Sequence, residues 1–140
     1  MAKIVFCEDD EFLQKLIHFI MRSTKHEVYI APDGLKGLAL IEREHPDLIL
    51  TDISMPRWDG FQLADAVKAR PHLASIPIIF VTAFAQRLDM EEGLLHGATG
   101  YLFKPFSAED LRATIETALV SDGRCCTGGS DESTRSTAKP

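Results

Sequence analysis

Two hydrophobic patterns alternate along the chain from Lys3 to Val120. Short unbroken apolar runs, rich in β-branched residues, occur at KIVFC, EVYIA, DLILT, PIIFVT and GYLF. Between them lie longer stretches with apolar residues at helical spacing. Phe12, Leu13, Leu16, Ile17 and Ile20 mark one helical face, Leu35 and Leu38 a second, and Phe61, Ala64 and Val67 a third. Leu111, Ile115, Ala118 and Leu119 mark the last. The segment after Thr82 is the least regular: Leu88, Leu94 and Leu95 share a face, and Met90 does not. Strands that are continuously apolar predict burial on both faces, hence a parallel sheet covered on each side by helices. Five strands alternating with five helices make an α/β, doubly wound (βα)5 unit joined by right-handed crossovers.

Local signals support these elements. Asp59 precedes Gln62, and Ser107 precedes Asp110, at the spacing of a capping box. Asp10 or Glu11 reads as the cap of the first helix. Gly97 and Gly100 punctuate the entry to the fifth strand.

After Val120 the pattern stops. Residues 121–140 contain no aromatic residue, and Ala138 is their only aliphatic one. Such a segment cannot bury enough surface to offset its ordering entropy, so it reads as a disordered tail behind a domain spanning 1–120. The charges of the tail cancel, so the body carries the whole net charge of −6. That balance argues against direct nucleic-acid binding. No apolar run is long enough to cross a bilayer, and the amino terminus enters a strand directly, unlike a signal peptide. Cys7 reads as a buried thiol, and Cys125 and Cys126 form no metal-binding spacing. Cytoplasmic location is the expectation.

The chemistry gathers at the ends of the strands. In open α/β sheets ligands bind beyond the carboxyl ends of the strands, where strand order reverses. The first run is followed by Glu8, Asp9 and Asp10, and the second by the turn APDG. The third runs into Asp52, the fourth ends at Thr82 and the fifth at Lys104. Taken singly, each has an ordinary reading: a helix cap, a turn cap at Asp52, a strand threonine, a solvated lysine. Taken together, several carboxylates at adjacent strand ends repel one another and persist only beside positive charge. Mg²⁺, which takes hard oxygen ligands, suits such a cluster, and Lys104 adds a second positive charge.

These residues carry a resemblance. IVFCEDD, LILTDISMPRWDG, IIFVTAFA and GATGYLFKPFSAEDL, in that order and at intervals of 43 residues from Asp9 to Asp52, 30 on to Thr82 and 52 from Asp52 to Lys104, resemble the receiver domain of two-component response regulators. The resemblance covers residues 1 to about 120. It implies a flavodoxin-like fold with strand order 2-1-3-4-5. It implies that Asp52 is the phosphoacceptor, and that Asp9 and Asp52 bind Mg²⁺ directly. Glu8 would act through a water, and the Ser54 carbonyl would complete the protein ligands. Thr82 would hydrogen-bond the phosphoryl group, Lys104 would pair with it, and Tyr101 would be the switch aromatic. Lys104–Pro105 matches a bond often cis in the family. The implied phosphodonor is a sensor histidine kinase or histidine phosphotransfer protein. Output would pass to an unidentified protein through the fourth helix, fifth strand and fifth helix. Arg57 and Trp58 stand where the family often has a small residue or methionine, and Phe84 is bulky.

Other classes fit less well. A hydrolase with an aspartyl-phosphate intermediate needs a second acid soon after the nucleophile, and Ile53 and Ser54 stand there. A nucleotide-binding module would carry GxGxxG or GxxxxGK[ST], and neither occurs. A receiver working without phosphate would not need the full acid, threonine and lysine set. The expected protein is a signalling module, not an enzyme beyond its own phosphorylation and dephosphorylation. It is either a single-domain regulator or the amino-terminal part of a longer chain.

Overall fold

A computed structural model describes residues 2–83 and 95–120. The strands are β1 (Lys3–Cys7), β2 (Glu27–Ala31), β3 (Leu48–Asp52), β4 (Ile78–Ala83) and β5 (Gly100–Lys104). The helices are α1 (Glu11–Met21), α2 (Gly34–Glu44), α3 (Gly60–Lys68) and α4 (Ala108–Val120). All strand pairs are parallel, in the order β2-β1-β3-β4-β5. The order reverses between β1 and β3, so the crevice expected at a switch point opens beyond Cys7 and Asp52. Four helices are described; α4 is the last of the five expected. The irregular one predicted after Thr82 falls mostly on residues 84–94, outside the described residues.

Two apolar layers hold the sheet. Ile4, Phe6, Leu48, Leu50, Val81 and Leu102 meet Ile17, Ile20 and Met21 of α1 and Leu111, Ile115 and Ala118 of α4. On the opposite face Val5, Cys7, Ile49, Ile78 and Phe80 meet Ile41 of α2 and Leu63, Ala64 and Val67 of α3. Successive strand residues alternate between these layers, which is why the runs read as continuously apolar. That holds fully for β3, buried throughout. The edge strands depart from it: β2 begins exposed, and Phe103 of β5 is 37% exposed. Each lacks a neighbour on one side, so burial on both faces is incomplete.

Two helical faces also differ from expectation. Phe12 is 72% exposed, and its heptad partner Phe19 is 69% exposed. Phe12 and Phe19 share a face turned to solvent, and the buried stripe is Ile17, Ile20 and Met21. In α2 Leu35 is exposed, and Gly34, Gly37 and Ile41 make the contact. A Cβ on Gly37 would fall 2.4 Å from Cys7 Sγ, so α2 approaches β1 through a residue with no side chain. Periodicity of large apolar residues cannot detect such a face.

The caps are as read. Asp10 Oδ1 accepts from Phe12 N at 2.9 Å. Asp59 and Gln62 form the reciprocal box, as do Ser107 and Asp110. β3 and β5 end at Asp52 and Lys104 as read, and β4 runs one residue further, to Ala83. APDG is not merely a turn: Asp33 is buried and caps α2, its Oδ1 accepting from Lys36 N at 2.8 Å. Gly97 takes φ +91°, where a Cβ is disfavoured. The Lys104–Pro105 bond is cis. Among the described residues no helix is long and apolar enough to cross a membrane.

Gly60 begins α3 against the end of β3; a Cβ there would lie 2.6 Å from the Asp52 carbonyl oxygen and 3.0 Å from Ile53 Cα. Backbone cannot yield as a side-chain tip can. Gly60→Ala is expected to lower stability by about 1–3 kcal/mol in urea unfolding. Gly100→Ala, whose Cβ meets only the tip of Ile79, should cost less than about 1 kcal/mol. The reverse order would show that the α3 start is not held as described.

Candidate functional site

Five polar side chains stand at the carboxyl edge because the parallel strands that carry or precede them end within about two residues of one another. Glu8 follows β1 directly, and its N–H continues the ladder by donating to Ala31 O at 2.9 Å. Its side chain is 1% exposed. Oε2 accepts from Asp10 N at 3.1 Å, and Gln14 Nε2 donates to the Glu8 carbonyl at 2.6 Å. These two bonds fix the turn from β1 into α1. Asp9, between the two anchored acids, is exposed.

Asp52 closes β3 and is 8% exposed. Its Oδ1 accepts from Ser54 N at 3.3 Å, so the turn cap expected from sequence exists alongside the site. Lys104 closes β5, and its Nζ donates to Asp52 Oδ2 at 2.8 Å and lies 3.2 Å from Glu8 Oε1. Strand alternation from Phe6, Leu50 and Leu102 puts Glu8, Asp52 and Lys104 on the α1/α4 side of the sheet. Carboxylate oxygens of Glu8, Asp9 and Asp52 come within 4.8 Å of one another. Ser54 is exposed, on the loop just beyond Asp52.

Thr82 is 4% exposed and pairs in register with Phe103, as Phe80 pairs with Tyr101. Alternation therefore puts Thr82 and Tyr101 on the α2/α3 side. Tyr101 is half-buried, 6.3 Å from the Phe80 ring and stacked on Phe103 at 6.4 Å. The structure thus brings Glu8, Asp9, Asp52 and Lys104 into one cluster and sets Thr82 and Tyr101 beside it on the other face. Phe84 lies outside the described residues.

The electrostatics follow from burial. Burial pushes the Glu8 carboxyl above its ordinary value; the Asp10 N–H and Lys104 counteract this, and the Asp52 charge adds to it. For Lys104 burial acts to lower the pKa, but the hydrogen bond and charge of Asp52 and the charge of Glu8 outweigh it and hold the ammonium above its usual value. Burial also pushes the Cys7 thiol up to about 12, as an inert core cysteine requires.

One cation serves two buried acids here. The Lys104 ammonium is at ion-pair distance from Glu8 Oε1 but is not aligned to donate to it, so that oxygen is buried without a hydrogen-bond donor. An orphaned carboxylate oxygen beside two further carboxylates fits a hard dication. Such an all-oxygen set suits Mg²⁺ better than soft transition metals.

Sequence reading missed one pairing at this edge, although Arg57 stood out there as a departure from the family's usual residue. Asp33 was hidden in a turn signal, and Arg57, which faces it, had no motif. Arg57 takes φ +70°, a backbone state that composition does not reveal for a residue with a Cβ.

The response regulator receiver domain family matches residues 4–116. The transcriptional regulatory protein RprY of Bacteroides fragilis is 40% identical over 117 residues, 84% of this chain and 49% of RprY. The chain spans about half the length of such curated relatives. The chemotaxis response regulator CheY4 of Vibrio cholerae is 31% identical with a TM-score of 0.81, over 85% of this chain and 99% of that one. The receiver domain of the sensor histidine kinase PA1611 of Pseudomonas aeruginosa, solved with magnesium coordinated in its active-site cleft, is 31% identical with a TM-score of 0.79, over 86% and 98%. With the parallel 2-1-3-4-5 sheet and the acid–lysine cluster at its switch point, these matches establish that the chain belongs to the response regulator receiver domain family, the phosphorylation-activated receivers of two-component systems.

Proposed function

We propose that Asp52 accepts a phosphoryl group from a phosphohistidine on a sensor kinase or phosphotransfer protein. The observation that carries this is the Lys104 ammonium between Asp52 and Glu8, with Asp9 exposed beside them. An Asp52 oxygen attacks phosphorus, a new O–P bond forms, and the N–P bond to the donor imidazole breaks, its electron pair leaving with the imidazole. A carboxylate and a phosphoryl group repel, so this attack needs positive charge at the transferring oxygens. Mg²⁺, held by Asp9 and Asp52, by the Ser54 carbonyl and through water by Glu8, would supply charge neutralisation there.

Lys104 already reaches Asp52, so a small movement carries its donors to a phosphoryl oxygen. Thr82 donates its hydroxyl to another. The phosphoryl group brings about two negative charges and three acceptor oxygens to the edge of the sheet. Once Thr82 turns toward it, the shared face has room for Tyr101 to move inward. Output then passes to a partner protein through β5, α4 and the segment preceding β5. Hydrolysis of the acyl phosphate by water resets the site. The receiver unit in this reading is 1–120, supported by the family match and by α4 ending at Val120; residues 121–140 are not required. A cytoplasmic location goes with this phosphodonor class.

Incubation with a small acyl phosphate and Mg²⁺ should add one phosphoryl mass, mapped to Asp52. Asp52→Asn should lose it. Full labelling of that variant would overturn the assignment. Lys104→Ala should retain the fold and slow labelling by at least about tenfold, since removing one donor to transition-state charge costs that much or more.

The metal-free site carries a cost that pH reveals. The folded pKa of Glu8 is raised above its ordinary 4.5, so the native state binds more protons than the unfolded chain between those two values. Without divalent cations, the Glu8 contribution to stability should therefore fall as pH rises through that window. Glu8→Gln should flatten this dependence and raise metal-free stability near neutrality by about 1 kcal/mol. A carboxylate stabilised by the fold would give the opposite slope in chemical denaturation.

A further inference from the structure

Asp33 is another buried acid at the carboxyl edge of the sheet. It follows β2, whose last residue Ala31 is paired with Cys7 at the end of β1. Its side chain is 6% exposed. Oδ1 caps α2, and Oδ2 faces Arg57, whose Nε lies 3.7 Å away. Among the described residues Arg57 is the one side-chain cation at ion-pair distance from Asp33. It sits in the loop between β3 and α3, three residues past Ser54, and holds a left-handed backbone angle there.

The same loop touches α2 next door. A Cβ on Gly34 would lie 2.6 Å from Trp58 Cβ and 2.8 Å from the Trp58 carbonyl oxygen. On its inner side the loop is pinned by Gly60 N donating to Ile53 O at 2.8 Å and by Ser54 N donating to Asp52 Oδ1. On its outer side it rests on the start of α2, through the Trp58–Gly34 contact and the Arg57–Asp33 ion pair. Trp58 contributes packing, and Arg57, 60% exposed, contributes a cation facing the buried Asp33 carboxylate.

We propose that Arg57 is a positioning residue for the divalent-cation site. Its ion pair with Asp33 fixes the loop that carries Ser54, and so fixes the backbone carbonyl offered to the cation. This rests on the reading of Glu8, Asp9 and Asp52 as a Mg²⁺ site. Arg57 itself is not among the three clustered acids and offers the cation no ligand. The alternative is that Arg57 and Asp33 act only as distant charges, and the two models differ in sign. As a bare positive charge near an acidic cluster, Arg57 opposes cation binding, and Asp33 favours it. As a latch, both residues favour it.

Calorimetric titration of Mg²⁺ into the full chain and into Arg57→Ala, Asp33→Asn and the double variant separates them. Ala keeps the backbone preference of residue 57 while removing the guanidinium, and Asn at 33 keeps an oxygen to cap α2. The latch predicts that each single variant binds Mg²⁺ about two- to fivefold more weakly, the scale of one ion pair whose cation is largely exposed. It also predicts that the double variant is no weaker than the weaker single, because the two act through one interaction. Arg57→Lys should recover much of the affinity. Tighter binding in Arg57→Ala with weaker binding in Asp33→Asn, adding in the double, would overturn the latch, as would unchanged affinity in Arg57→Ala. Thermal unfolding of each variant confirms the fold. Asp9→Asn separates the two readings: if wild type shows no Mg²⁺ binding that this change removes, the cluster reading fails and the latch with it. If that binding is present and Arg57→Ala leaves it unchanged, only the latch fails.

Discussion

The ammonium of Lys104, 2.8 Å from Asp52 and 3.2 Å from Glu8, is the interaction on which the carboxyl edge of this sheet depends. Two buried carboxylates on adjacent strands would otherwise face each other with no cation between them. Lys104 reaches both because β5, at the sheet edge and two strands away across β4, runs two residues past the level of Asp52, and its long side chain reaches back over the strand ends. That offset follows from the parallel register, Asp52 and Leu102 both opposite Val81 and Lys104 opposite Ala83. Register in turn is set by two apolar layers, since a slip of one residue would move every side chain to the wrong face.

The same alternation divides the work of the site. Residues reached from the α1/α4 layer carry charge: Glu8, Asp52 and Lys104. Residues on the α2/α3 side, Thr82 and Tyr101, carry a hydroxyl and an aromatic ring, the ring next to Phe80 and Phe103. A charge change on one face is thus one backbone width from an aromatic face near the surface. If Asp52 is the phosphoacceptor proposed above, no long chain of contacts is needed between it and β5.

Much of this was legible in the sequence. The unbroken runs located all five strands to within a residue, and the capping residues located the starts of α1, α3 and α4. The acids at strand ends and Lys104 were visible because a parallel sheet gathers whatever follows its strands. What stayed hidden was hidden for physical reasons. Phe12 and Leu35 lie on helical faces turned to solvent, so their apolar character did not mean burial. The true contacts of α2 use Gly34 and Gly37, which carry no hydrophobic signal. Asp33 was read as turn chemistry, because a cap and a buried charge share one residue type. Its partner Arg57 comes from a different loop, and only the fold brings the two together.

The central claim is that a cluster of acids too negative for one lysine is completed by a divalent cation. The most direct test is thermal unfolding as a function of Mg²⁺ concentration, for wild type and Asp52→Asn side by side. The account predicts that Asp52→Asn is the more stable of the two without metal. Wild type should then gain stability continuously with Mg²⁺ as mass action requires, while the variant gains little. Equal metal-free stabilities, with Mg²⁺ shifting neither or both alike, would contradict it.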